Sequence, residues 1–200
     1  MAKWKIAALV LSTILLVTSP IFAGVIFYDN FNSENGGVGV LNYNGFANWA
    51  VSGGTVDLIG NGYFDFLPGN GLYVDMDGST GNAGMMTSNF ILNPGSYTLE
   101  FDLAGNHRNA ATEQVTVQVN LGFFSKTYTL SQSDPFTHFN EDFTVPASMT
   151  ASLSFEGVGG DNIGMLLDNV KLSVVPEPAT LMLLGFGLVG LGIAKRRKSS

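Results

Sequence analysis

Residues 96–103 read Ser-Tyr-Thr-Leu-Glu-Phe-Asp-Leu, and their alternation decides the fold. Tyr97, Leu99, Phe101 and Leu103 hold the odd positions, while Ser96, Thr98, Glu100 and Asp102 hold the even ones. A period of two puts successive side chains on opposite faces of an extended strand, so one face is buried and the other meets water. Residues 113–121 (Glu-Gln-Val-Thr-Val-Gln-Val-Asn-Leu) repeat the pattern, as do residues 149–156 and 170–174. Turn signals separate these segments: Asn93-Pro94-Gly95, Gly105-Asn106 and the Gly-rich run 157–161. No stretch of about ten residues between them carries the 3.6-residue period of a surface helix. The reading is an all-β domain, an antiparallel β-sandwich, over residues 24–174.

The two ends follow different rules. Residues 1–23 begin with Lys3 and Lys5, continue through the apolar run 6–17, and break at Ser19-Pro20 before Ala23. That order is a secretory signal peptide with cleavage between Ala23 and Gly24. An uncleaved anchor is the competing reading, disfavoured by the short, Pro-broken run. At the other end, residues 179–194 carry no charge and precede Lys195-Arg196-Arg197-Lys198. As a helix this run would extend about 24 Å, slightly less than a hydrocarbon core of ~30 Å, with the basic side chains snorkelling to the interface. The basic cluster would stay in the cytoplasm, which leaves the domain on the far side of the inner membrane. The signal peptide requires the same orientation.

Composition narrows the function. Residues 24–175 contain three basic side chains, Arg108, Lys126 and Lys171, against fifteen carboxylates, a formal charge of −12. Nucleic acid and anionic lipid would be repelled by such a domain, so no nucleic-acid partner is expected. The chain has no cysteine, which excludes disulfides, thiolate zinc sites and Cys nucleophiles.

Val175-Pro176-Glu177-Pro178-Ala179-Thr180, the Gly-rich apolar run and the terminal basic cluster resemble the PEP-CTERM protein-sorting domain. The resemblance spans residues 175–200 and implies recognition by an exosortase at or near Pro176, Glu177 and Pro178. Before processing, residues 179–194 would hold the chain in the inner membrane with the domain in the periplasm. Afterwards the protein would reach the cell surface or an exopolysaccharide matrix. A plain tail anchor is the simpler alternative, but it needs no Pro-Glu-Pro.

Within the domain, the order of a Trp49 strand (residues 48–59), Gly71-Leu72-Tyr73-Val74-Asp75, Gly95-Ser96-Tyr97-Thr98-Leu99 and Leu167-Asp168-Asn169-Val170 resembles galactose-binding-like jelly rolls of the carbohydrate-binding-module kind. That resemblance implies a jelly roll and a structural calcium tying the first strand to the last, at Asp29 and Asp168 with help from backbone carbonyls and Glu34. The alternative is that Asp168 bonds backbone amides of the N-terminal segment. Asp75-Met76-Asp77-Gly78 is another candidate for the metal, but Asp-x-Asp-Gly before Ser and Thr reads first as a turn with an exposed carboxylate.

Catalysis has little support. Fifteen carboxylates always allow some pair, and Glu100 and Asp102 fall on the outer face of a strand. His107 and His138 are the two histidines, His107 lies in a turn, and no Gly-x-Ser-x-Gly elbow accompanies them. A non-catalytic carbohydrate-binding or adhesive domain is the expectation. Trp49 reads as core. The loop 60–70 is the candidate ligand surface, with Tyr63 and Phe64 as platforms and Asn106 and Arg108 as hydrogen-bonding groups. A structural matrix protein without a specific ligand is the rival, and a glycan-acting hydrolase the more distant one.

Overall fold

A computed structural model describes residues 24–108, 112–119 and 124–176, together with Gly187 and Leu191, which are helical. The signal-peptide segment, the processing residues Glu177 and Pro178, the basic cluster 195–198 and nearly all of the apolar run 179–194 lie outside the described residues. Among the described residues no helix is long and apolar enough to cross a membrane.

Val25–Val175 form one compact unit built of strands. In chain order these are β1 (Gly24–Asp29), β2 (Ala50–Ser52), β3 (Asp57–Gly60), β4 (Leu72–Asp75), β5 (Met85–Leu92) and β6 (Gly95–Ala104). They continue with β7 (Thr112–Val119), β8 (Phe124–Ser131), β9 (Thr137–Val145), β10 (Met149–Val158) and β11 (Leu166–Val175). One sheet has the order β3-β4-β11-β6-β9, with β1 also paired to β11; the other has the order β2-β5-β10-β7-β8. The ladders around β4, β6, β7 and β10 are antiparallel, and the two sheets form the sandwich expected from the period-two pattern.

The alternation read at residues 96–103 places Tyr97, Leu99, Phe101 and Leu103 between the sheets, all buried. Phe101 sits at the centre, edge-on to Tyr128 and Phe155 and stacked with Phe139. Trp49 joins the same core by edge contacts to Phe27 and Phe155. Burial of each such ring contributes about 2–3 kcal/mol, enough with a core of this size to dispense with disulfides.

Two segments depart from the sequence reading. Residues 48–59 are not one strand. β2 belongs to one sheet and β3 to the other, because Gly53 at φ +76° and Gly54 turn the chain between them. A side chain at Gly54 would strike the carbonyl oxygens of Asn82 and Ala83 at 2.3 Å. The last strand starts at Leu166 and carries a bulge between Asp168 and Lys171, where Asn169 adopts φ +51°.

One end of the first sheet is covered twice. β3 and β4 are buried along their whole length, on both faces. Leu58, Leu72 and Val74 face the main core, whereas Ile59 and Tyr73 join Ala104 and Leu166 in a second apolar cluster outside the sheet. Leu41, Phe66, Leu67 and Phe136 close that cluster from above. The loop between β3 and β4 is therefore a packed third layer, and it positions the candidate site.

Candidate functional site

The loop joining β3 to β4 begins and ends on glycines for steric reasons. Gly60 has φ +110°, and a Cβ there would lie 2.1 Å from the Gly71 carbonyl oxygen. Gly71 has φ +79°, and its Cβ would strike Asn32 Oδ1 at 1.9 Å. That Asn32 oxygen accepts from the Leu72 amide at 2.7 Å, pinning the end of the loop. Gly60 and Tyr63 exchange backbone bonds of 2.8 and 2.9 Å. Asp65 accepts from the Gly62 amide at 3.1 Å and from the Tyr73 hydroxyl at 3.2 Å, and that hydroxyl oxygen accepts from the Leu67 amide at 3.0 Å. Burial pushes the Tyr73 hydroxyl up to about 12, so it stays protonated and donating.

This frame holds two aromatic side chains outward. Tyr63 is 37% and Phe64 53% exposed, with ring centroids 4.9 Å apart at an interplanar angle of 89°. Phe64 has φ +44°, an unfavourable backbone region for a bulky residue that the surrounding bonds must support. Beside the pair lies a shallow cleft of about 60 Å³, open to solvent. Asp57, Asp75, Ser79 and Arg108 supply its polar lining, and Leu41, Ile59, Phe64 and Phe66 its apolar lining.

The polar floor is preorganised. Asp57 accepts from the Asn42 amide at 2.6 Å and from the Ser79 amide and hydroxyl at 3.2 and 2.7 Å. Asp75 is 1% exposed, forms an ion pair with Arg108, and accepts from the Asp77 and Gly164 amides at 3.0 and 2.9 Å. Burial pushes the Asp75 carboxyl up to about 8, although the Arg108 charge and these amides pull it down. The Arg108 guanidinium also lies 5.0 Å from the Phe66 ring centroid, which fixes its plane over the cleft.

The expected ligand residues separate into two groups. Tyr63, Phe64 and Arg108 gather at the β3–β4 end of the first sheet. Asn106 does not present itself to a ligand: it is fully buried, donates to Glu113 Oε1 at 2.8 Å and accepts from the Arg108 amide at 2.7 Å. Burial raises the Glu113 carboxyl above its ordinary value. The expected exposed carboxylate at residues 75–78 is corrected as well, since Asp75 and Asp77 are both buried. Asp77 Oδ2 accepts from the Gly160 and Asp161 amides at 2.7 and 3.2 Å, tying two loops together. His107 takes φ +52° and its Nε2 lies 3.0 Å from the Asp134 carbonyl oxygen, so it fastens a turn.

Asp29 and Asp168, the residues expected to hold calcium, each accept hydrogen bonds from protein donors. Asp29 Oδ1 accepts from the Phe31 amide at 2.9 Å, and its Oδ2 accepts from Asn48 Nδ2 at 3.3 Å and the Trp49 indole at 3.0 Å. Asp168 Oδ1 accepts from the Asn169 amide at 2.7 Å, and its Oδ2 from Asn169 Nδ2 at 3.3 Å. Among the described residues its hydrogen bonds go to its own neighbour. Burial, with the Asp102 and Asp29 charges, pushes Asp168 up to about 7 against the Asn169 amide. Glu34 is buried and accepts from the Ala47 amide at 3.1 and 3.2 Å. A calcium ion needs six to eight oxygens, and here the carboxylates are engaged with protein donors. Among the described residues no group of three or more His, Asp or Glu is placed to hold a metal.

Glu100 and Asp102 face outward as read, but they are paired. His138 Nδ1 lies 2.7 Å from Asp102 Oδ1 and its Nε2 3.5 Å from Glu100, while Lys171 bonds Glu100 at 2.7 Å. In a catalytic triad a nucleophile hydroxyl would sit at the second ring nitrogen; a carboxylate sits there instead. Sequence reasoning missed Asp57 and Ser79, and it read Asp75 as part of an exposed turn. Their pattern positions look like ordinary strand and turn polar residues, and only the overlying loop turns them into a lined cleft.

Comparison with known proteins separates the tail from the domain. Residues 174–198 match the PEP-CTERM protein-sorting motif. No curated protein matches the chain at a significant level. Among solved structures, the CBM22-1 xylan-binding domain from Paenibacillus barcinonensis Xyn10C aligns with a TM-score of 0.52 at 10% identity, covering 80% of this chain and 100% of that one. The Clostridium thermocellum endo-1,4-β-D-xylanase 10B CBM22-1–GH10 modules, complexed with xylohexaose, align with a TM-score of 0.50 at 15% identity over 78% of this chain. This chain spans only 30% of that xylanase chain. At such identities the likeness concerns the fold. The chain carries a PEP-CTERM sorting motif, which marks it for export and C-terminal membrane-anchored sorting, and its described domain has the β-sandwich fold of carbohydrate-binding modules.

Proposed function

We propose that the protein is an exosortase-processed surface or matrix protein whose domain binds carbohydrate without catalysis, at the cleft between the β3–β4 loop and the first sheet. The observation that carries the reading is the exposed Tyr63–Phe64 pair, held at 4.9 Å beside the cleft lined by Asp57, Asp75, Ser79 and Arg108. Nonpolar ring faces stack on the C–H faces of sugars, and fixed polar groups orient the hydroxyls. Preorganisation of the loop means that little conformational entropy is lost when a ligand arrives. The sandwich fold shared with xylan-binding domains supports this reading and makes xylan the first probe.

The absence of a catalytic role is part of the same proposal: Asp57 and Asp75 are 3% and 1% exposed and both hold protein donors, so neither carboxylate is presented to a glycosidic bond as acid or nucleophile. We also propose that Asp29 and Asp168 act as internal staples, without calcium. The test of binding is titration of xylan and xylohexaose into the protein and into Tyr63→Ala and Phe64→Ala variants. Saturable binding that weakens in both variants supports the cleft. Equal binding by both would move the ligand elsewhere, and no saturable binding would favour a purely structural matrix protein.

A further inference from the structure

We propose that the cleft beside Tyr63 and Phe64 takes the hydroxymethyl group of a neutral hexopyranose, so that the polysaccharide bound there is built of hexoses. This inference rests on the carbohydrate-binding reading and names the sugar class that the same site selects, against pentoses and uronic acids.

Size decides how much of a sugar can enter. The cleft holds about 60 Å³. An engineered cavity of roughly 150 Å³ is what accepts a benzene ring, so a pyranose ring cannot enter this one. A substituent of one carbon and one oxygen can. The ring has its own place outside, because Phe64 both lines the cleft and is 53% exposed, with Tyr63 edge-on to it at 4.9 Å. A sugar stacked on Phe64 therefore has the mouth of the cleft at its margin.

The lining matches both halves of a hydroxymethyl group. Leu41, Ile59 and Phe66 give its carbon apolar contact. Its hydroxyl donates one hydrogen bond and accepts others, and the polar lining offers both roles. Asp57 Oδ2 takes the Ser79 hydroxyl at 2.7 Å, and a carboxylate oxygen with two lone pairs has room for a second donor. Arg108 reaches Asp75 through Nη2, and its buried Nε has no hydrogen-bond partner among the described residues. The guanidinium thus has N–H groups to spare for a sugar oxygen. Two other sugar classes fail here. A xylose unit carries only hydrogen at this position, which leaves the cleft to water and its polar groups without a sugar partner. A uronic acid brings a carboxylate against Asp57, while Arg108 is already held by Asp75.

The test uses the full chain in a detergent without a sugar head group, titrated calorimetrically with β-1,4-linked hexaoses of glucose, mannose and xylose. The glucose and xylose oligomers differ only in the hydroxymethyl group. The tighter of the two hexose oligomers should bind about tenfold better than xylohexaose, the gain of one buried methylene and one hydrogen bond. Ser79 lies at the exposed rim of the cleft, so Ser79→Leu fills the space while its amide keeps the bond to Asp57. In that variant the preference should vanish, and Ser79→Gln repeats the test should the Leu variant not fold. Xylohexaose affinity equal to or above that of the hexose oligomers, and lost in Phe64→Ala, overturns this inference and leaves the carbohydrate reading standing. A hexose preference that survives in a folded Ser79→Leu or Ser79→Gln variant does the same. A parent that binds none of the three hexaoses overturns the carbohydrate reading, and this inference with it.

Discussion

The Trp49 indole Nε1 donates to Asp29 Oδ2 across 3.0 Å, and the same carboxylate takes the Phe31 amide on its other oxygen at 2.9 Å. The end of the first strand is thereby fastened to the core through a tryptophan whose ring packs on Phe27 and Phe155. Asp29→Ala would leave a buried indole N–H and an amide without acceptors, each costing about 1–3 kcal/mol. Chemical denaturation should register a loss of that order, and Asp29→Asn, which keeps one acceptor oxygen, should lose less.

The same bond makes a prediction about calcium. If the carboxylates at Asp29 and Asp168 serve protein donors, thermal unfolding should have the same midpoint in EDTA and in millimolar CaCl₂. A midpoint that climbs with calcium concentration by the mass-action law would instead require these side chains to rearrange around an ion.

Arg108→Ala removes the counter-charge from Asp75, which is buried beneath it. A fully buried pair broken in this way costs ~3–5 kcal/mol; the guanidinium retains some solvent contact, so about 1–3 kcal/mol is expected. Because Arg108 pulls the Asp75 carboxyl down, its removal lets that group rise further. The deficit should therefore be larger at pH 8.5 than at pH 5, measured by urea denaturation at both values.

Stability should fall as pH rises through neutrality. Asp75 and Asp168 are pushed up to about 8 and about 7 by burial, above the ordinary carboxylate value of ~3.9 in the unfolded chain. The folded state therefore binds more protons than the unfolded one between those limits. That contribution is complete below about pH 4 and is lost progressively up to about pH 8. Melting temperature should decline between pH 5 and pH 8.5, by roughly 2–4 °C for each kcal/mol. Asp168→Asn should flatten the part of the slope centred near pH 7; an unaltered slope would remove Asp168 from the explanation.

Processing of the tail is tested by mass. Intact-protein mass spectrometry of material from the native envelope and medium should give a chain ending between Pro176 and Thr180. Replacing Pro176, Glu177 and Pro178 by alanine should retain Lys198 and Ser200 in the mass. Retention of those residues in the wild-type protein would make the tail an anchor.

Much of the architecture is legible in the alternation of apolar and polar residues, because a strand with one buried face has no other way to satisfy its pattern. That logic works at β6, β7 and β10, where the sandwich core lies on one side and water on the other. It fails at β3 and β4. Ile59 and Tyr73 look outward by period, yet they are buried under Phe66, Leu67 and Phe136, which come from distant loops. Tyr63 and Phe64 are visible as loop aromatics, since no strand is available to bury them. Asn106 misleads because a polar residue in a Gly-Asn turn resembles a surface group, and only Glu113 opposite it reveals a buried pair.

The tail motif, the lack of disulfides, the acidic charge and the two-faced strands are all written in the chain, since each is a property of composition or of neighbouring residues. Folding alone brings Asp75 to Arg108, sets Asp29 under Trp49, and opens a cleft beside Tyr63 and Phe64. Asp75 and Arg108 are 33 residues apart and Asp29 and Trp49 are 20 apart. Asp75 and Arg108 meet through a sheet order that joins β4 to β11 and β11 to β6, whereas Asp29 and Trp49 meet because β1 pairs with β11 in one sheet and β2 with β5 in the other. Local pattern fixes which face of a strand is wet; only the pairing of strands fixes which wet faces meet.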